Sequence, residues 1–253
     1  MYAVVAGLFQ YPIKGFSPQP VDRAELAVGQ AFPGDRLYAV EDGPCGFDPA
    51  APSFIPKSRF TVLARIAEVA KARTHYDLKT GILTASAPRL PDFQADLTGE
   101  AGRTAFAAWV AALLGDAAVG PLRTLDGTGH RFLDHPLGHV SIINLASVAD
   151  LEQRLGRPVD PLRFRGNLHV EGWPAWIENG WRGRELRVGG ATASVYQTIT
   201  RCAAPGVDPT TAVRDIDVTA ELYRLYGHLL CGIYVQVTRA GGVATGDAID
   251  LAS

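Results

Sequence analysis

The chain has 253 residues, 47% hydrophobic and 20% charged, with a formal net charge of −2. It is long enough to bury its own core, and the near-neutral balance excludes a general attraction to nucleic acid or a membrane surface. Three widely spaced cysteines without a CxxC pair argue against a disulfide framework or structural zinc site, and for a reducing, cytoplasmic setting.

In chain order, the first hundred residues read mostly as strands and turns. Residues 1–9 form a short apolar strand, broken at Tyr11-Pro12-Ile13-Lys14-Gly15. They lack the basic start and long apolar run of a signal peptide, and no later stretch approaches the roughly 20 apolar residues of a membrane helix. Residues 21–28 alternate as a half-buried strand does. Gly34-Asp35 marks a turn before a strand at 37–40, and residues 42–56, rich in Pro and Gly, are a loop. Further strands are expected at 63–73, 74–78 and 81–86, with Lys79-Thr80-Gly81 as a hairpin signal. The abundant alanine of 63–73 also admits a helix.

The character changes near residue 98, dividing the chain into 1–98 and 99–253. Thr98 is placed to cap a helix over 99–114 that puts Phe106, Trp109, Val110, Leu113 and Leu114 on one face and ends at Gly115. A loop follows over 126–138, and Ser147 is placed to cap a second helix to Leu155. Strands are expected at 167–170, 185–188, 193–199 and 231–238, with a helix over 217–230 between the last two. The fold class is mainly β with a few helices (α+β), of β-barrel type.

Several familiar motifs are missing: there is no P-loop, no dinucleotide fingerprint around Gly127-Thr128-Gly129, and no complete nucleophile elbow at Gly15. His130, His135 and His139 share a loop without zinc spacing. Trp173, Trp176 and Trp181 read as a loop pinned to the core. What remains is a thiol and a set of anion-friendly positions. Cys202 follows a strand, next to Arg201, and a thiolate is the side chain that ligates soft metals or carries sulfur. Lys14, Asp35-Arg36 and Arg163-Phe164-Arg165-Gly166-Asn167 each lie at a strand junction. Cys231, in an apolar strand, reads as core, and Cys45 as a loop residue.

Taken together, Tyr11-Pro12-Ile13-Lys14, Asp35-Arg36, Arg163-Phe164-Arg165-Gly166-Asn167 and Arg201-Cys202 with Val207-Asp208-Pro209 resemble the MOSC family. Glu178 and Trp181 ahead of Val188-Gly189 add to the likeness. The match is to two-part members similar to amidoxime-reducing components. The resemblance implies a MOSC-type β-barrel core, a smaller N-terminal β-barrel domain and the molybdenum cofactor (Mo-molybdopterin). By the same resemblance Cys202 is the catalytic metal ligand, Lys14 and Arg36 hold the cofactor phosphate, and Arg165 and Asn167 meet the pterin. Arg201 and Asp208 complete the cofactor-binding set. Two positions depart from the pattern: Gly15 stands where many reductases have serine, and residues 208–212 lack a Thr-Gly pair.

Three functions stay open on these residues. The first is a reductase of N-hydroxylated or N-oxide compounds, fed by an external electron-transfer protein or reductase. The second is a sulfur-transfer protein carrying a persulfide on Cys202, loaded by a pyridoxal-phosphate-dependent (PLP-dependent) cysteine desulfurase. The third is a non-enzymatic cofactor carrier. None of them calls for nucleic acid or a membrane.

Overall fold

The computed structural model describes residues 3–252; the first two residues of the strand expected at 1–9 lie outside them. Among the described residues, fifteen strands and three α-helices follow one another. The first part of the chain supplies β1 (Val4–Gln10), β2 (Gln19–Val21), β3 (Arg23–Leu26), β4 (Tyr38–Asp42), β5 (Arg73–Tyr76), β6 (Ile82–Ser86) and β7 (Phe93–Asp96). Helix α1 (Glu100–Leu114), β8 (Leu122–Asp126), β9 (Val140–Asn144), α2 (Leu145–Leu155) and β10 (Leu168–Glu171) come next. The chain finishes with β11 (Glu185–Val188), β12 (Ala191–Thr200), α3 (Val218–Tyr226), β13 (Leu230–Arg239), β14 (Gly241–Ala244) and β15 (Ile249–Leu251).

Eight strands form one sheet in the order β15-β11-β12-β13-β9-β10-β1-β2. It is antiparallel except where β9 meets β10. The sheet curls into a half-barrel. Backbone bonds from Val5 to Asp247 and from Ile249 to Ala3 bring β1 against the segment leading into β15. Inward-facing residues such as Val5, Leu8, Ile142, Leu186, Val195 and Val235 fill the interior. The first strand of the chain is therefore part of the sheet built mainly by its second half.

A second core lies under α1. Phe106, Trp109, Val110 and Leu114 recur every three or four residues and bury one stripe against the β5-β6-β7 sheet and its neighbours. Gly115, at φ +50°, ends the helix. Thr98 does not cap it: its hydroxyl bonds the Asp96 carboxylate at 2.7 Å, and Gly99 is the N-cap. The strand expected at 63–73 is instead a turn and a short 3-10 helix over Ala67–Lys71. Leu63, Ile66, Val69 and Ala72 are buried at a spacing of three, a 3-10 period, with Ala70 buried beside them.

The third core joins α2 and α3 to Ile143, Phe164 and Cys231. Asn144 caps α2 by accepting from the Ala146 amide. Ser147, expected there, lies inside the first turn and donates to Glu178 at 2.8 Å. Helix α3 stops at Tyr226, short of 230, because Gly227 takes the left-handed conformation. Trp173 and Trp181 stack edge-on in the core, as expected of a pinned loop.

His169 on β10 is buried against the Phe9 ring, and its Nε2 has no hydrogen-bond partner among the described residues. Burial lowers its pKa to about 4. Between about pH 6.5 and 4 the unfolded chain binds a proton here that the folded chain refuses, so stability falls with pH across that window by about 3 kcal/mol. Urea titrations at pH 7.5 and 4.5 should show a markedly smaller acid loss in His169→Phe. An equal loss in the variant would clear His169 of the effect.

Candidate functional site

A cleft opens where the first sixty-four residues meet the half-barrel. Cys202 lines it, half-buried, two residues past the end of β12. Arg36, Arg165, Asn167 and Arg201 line it as well, so five of the seven residues singled out in the sequence come together. Lys14 and Asp208 stand behind its walls.

Arg36 and Arg165 share one device. Both are non-glycine residues in the left-handed region, at φ +48° and +54°. Their guanidinium carbons lie 4.8 and 4.4 Å from the centre of the buried Tyr11 ring. The ring face attracts both cations and holds them near each other despite their repulsion. Burial alone would lower the Arg36 pKa, but Asp35 and Asp134 outweigh it and raise it. Burial, with Arg36 beside it, lowers that of Arg165. Arg165 donates through Nη1 to the Phe16 carbonyl at 2.7 Å, while its buried Nη2 has no partner among the described residues.

The other cations are more fully engaged. Lys14 donates to the carbonyls of Phe132 and Leu133 and to the Asp134 carboxylate. Partial burial would raise the Asp134 pKa, but Lys14 and Arg36 hold it below the usual carboxylate range. Arg201 is held by backbone: it donates to the carbonyls of Cys231 and Phe164 and packs over the Phe164 ring. It braces β13 and the 161–165 segment around the cleft. Asn167 accepts from the backbone and hydroxyl of Ser141 and donates to the Phe9 carbonyl.

The segment after Cys202 is bolted down from behind. Asp208 accepts from the amides of Thr210 and Thr211 and from Arg163, each at 2.8 Å. Arg163, 2% exposed, also pairs with Asp215 at 2.8 Å. Asp208 is thus a turn cap and the ion-pair partner of Arg163, a lining residue, and does not itself line the cleft.

Gly15 is required by the backbone. It sits at φ +90°, and a Cβ there would come within 2.5 Å of the Thr61 carbonyl oxygen. A serine fits only if that backbone moves. The three loop histidines do not converge: His130 packs on Phe47 and Phe132, and His135 on Tyr196 and Tyr234. Cys231 is fully buried, which pushes its thiol up to about 12. Burial and the Glu41 carboxylate push Cys45 to about 11. Sequence reasoning missed Lys57, a lysine in a Pro-rich loop that lines the cleft. Only its rarity hinted at it, since the chain has four lysines.

A MOSC domain model matches residues 130–250, and a MOSC N-terminal beta barrel domain model matches residues 2–118. Mitochondrial amidoxime reducing component 2 of Bos taurus is 32% identical over 124 residues, covering 44% of this chain and 36% of the relative. Mitochondrial amidoxime-reducing component 1 of Homo sapiens is 31% identical over 122 residues, with 44% and 36% covered. The matched part therefore spans about a third of the length of these curated relatives. Among solved structures, the YUAD protein from Bacillus subtilis aligns with a TM-score of 0.47 and 16% identity, covering 98% of this chain and 94% of that one. YiiM from Escherichia coli aligns with a TM-score of 0.35 and 21% identity, covering 46% and 54%. Among the described residues no helix is long and apolar enough to cross a membrane.

Proposed function

The chain belongs to the MOSC family, in its two-part arrangement with the N-terminal β-barrel domain, and from that premise we propose a reductase of N-hydroxylated or N-oxide compounds that depends on the molybdenum cofactor. One observation carries the reading: a half-buried thiol, Cys202, opens on the same cleft as a buried guanidinium edge of Arg165 that has no acceptor among the described residues. That edge fits an anionic ligand, and the thiolate fits a soft metal. The relatives' printed names supply the substrate class, an amidoxime.

When bound, the cofactor would supply a two-electron centre that the side chains alone lack. Cys202 is its protein ligand. Arg36 and Arg165 would hold its anionic groups, and Asn167 shapes the wall between β9 and β10. Arg201 and Asp208 act from behind, fixing the segments on either side of Cys202. Reduction of an N–OH group consumes two electrons and two protons and releases water. The electrons come from a separate donor protein. We place the protein in the cytoplasm, where its three unpaired cysteines stay reduced.

The test is anaerobic purification from a cofactor-competent host, with metal and pterin analysis and an assay of benzamidoxime reduction by a chemically reduced dye. Near-stoichiometric molybdenum and pterin with turnover are expected. Molybdenum far below stoichiometry in wild type, and unchanged in Cys202→Ala, would sink the reading.

A further inference from the structure

Lys14 has no donor to offer a ligand. An ammonium carries three N–H bonds, and those of Lys14 meet the Phe132 carbonyl at 2.8 Å, the Leu133 carbonyl at 3.0 Å and Asp134 Oδ1 at 2.7 Å. Its side chain is 2% exposed, and the Phe60 ring lies 5.7 Å from Nζ. A ligand would reach it only by breaking one of these charge-assisted bonds. Lys14 is a strut that fixes residues 132–134 as one wall of the cleft.

Two other cationic groups in the same cleft are free. Lys57 sits in the 3-10 turn Lys57–Arg59, just ahead of the buried Phe60, and lines the cleft with Arg36, Asp134 and Arg165. Lys57 is half-buried as a residue, and its ammonium makes no hydrogen bond or ion pair among the described residues. Asp134, the carboxylate lining that cleft, is already taken by Lys14 and Arg36. The second free group is Arg165 Nη2, buried without a partner. A buried donor left unpaired is costly, and a ligand oxygen arriving there removes the cost.

We infer that Lys57 and the free Nη2 edge of Arg165 form the anion seat of this cleft and take a phosphate monoester. Lys57, absent from the motif set, does the work that the resemblance assigns to Lys14. The identity of the ester as the terminal phosphate of the pterin rests on the reductase reading; the seat itself is defined by the two cations and accepts inorganic phosphate as a probe.

The experiment titrates inorganic phosphate at low salt into the full chain, purified from a host unable to make the pterin. Lys57→Gln should raise the phosphate Kd about tenfold, the loss of one charge-assisted contact. Lys71→Gln, an exposed lysine away from the cleft lining, should leave it unchanged within about twofold. A second arm measures pterin bound to each protein from a cofactor-competent host, by fluorescence after oxidation. Pterin lost from Lys57→Gln and kept by Lys71→Gln identifies the ester as the cofactor's. Equal phosphate affinity in wild type and Lys57→Gln, or none in wild type, overturns the seat even if wild type carries pterin. Lys57-dependent phosphate binding with no pterin in wild type keeps the seat, assigns it to another phosphate ester, and overturns the cofactor reading instead.

Discussion

Cys202→Ser is expected to lose at least about 100-fold in amidoxime reduction, about 2.7 kcal/mol of activation free energy, while keeping its pterin. Serine nearly matches cysteine in size, and the side chain at 202 is half-buried with no role in the surrounding hydrogen bonds. The fold should therefore tolerate the change, and circular dichroism and urea midpoints should match wild type. The contacts proposed for the cofactor's anionic groups lie on Arg36, Arg165 and Lys57, all untouched by the change. What disappears is the soft ligand, because a neutral hydroxyl is a poor partner for a soft metal. Turnover within about twofold of wild type, at equal protein and pterin, would remove Cys202 from the chemistry. The same pair of proteins separates the sulfur-transfer reading. Incubated with a cysteine desulfurase, wild type would gain sulfur at Cys202 by mass spectrometry, and the serine protein would not. Persulfide labelling without molybdenum in wild type would favour sulfur transfer over reduction.

The parts of this molecule that the sequence makes legible are those governed by local chemistry. Gly34-Asp35 and Lys79-Thr80-Gly81 mark turns because few other residues tolerate those backbone conformations, and the strands beside them follow. The stripe on α1 is visible because its spacing matches one face of a helix. Central strand β9 is not legible in the same way. Its five residues are all buried, so no alternation marks it between a loop and a helix. The two misplaced caps show a related limit. Thr98 and Ser147 are good capping residues by type, but Asp96 and Glu178 claim their hydroxyls first.

The site divides along the same line. Residue types and their order bring Arg36, Arg165, Asn167, Arg201 and Cys202 to one cleft, since each stands at the end of an element that opens there. Sequence does not reveal which cations are already satisfied. Two of the three acceptors that saturate Lys14 are backbone carbonyls 118 and 119 residues away, which carry no residue-type signature at all, and the third, Asp134, is 120 residues away. Gly15 shows the converse. As a missing serine it reads as a weakened cofactor contact; in three dimensions it is a backbone requirement set by Thr61. A departure from a motif can thus record packing and leave the ligand question to other residues.

Arg163→Met should cost about 3 kcal/mol of stability, the largest loss expected from a single side chain of the cleft wall. The guanidinium is nearly fully buried and holds two carboxylates from different turns, Asp208 and Asp215, each at 2.8 Å. Removing it leaves both carboxylates facing a buried gap without their cation. The cost falls at the lower end of the range for broken buried pairs because each carboxylate is 23% exposed, so water screens part of the charge. Arg157 also remains on Asp215 at 2.6 Å. Asp208→Asn makes the internal comparison. Its amide oxygen can still accept from Thr210 and Thr211, and Arg163 keeps Asp215, so the expected loss is only about 1 kcal/mol. Urea unfolding with matched m-values measures both. The consequence for the site follows from connectivity: Arg163 ties the 161–165 segment to the turn that follows Cys202. Loosening that turn should speed reaction of Cys202 with a disulfide reagent well below the unfolding transition, in Arg163→Met more than in Asp208→Asn. A loss under about 1 kcal/mol in Arg163→Met, or thiol reactivity equal to wild type, would show that the turn stands without this ion pair.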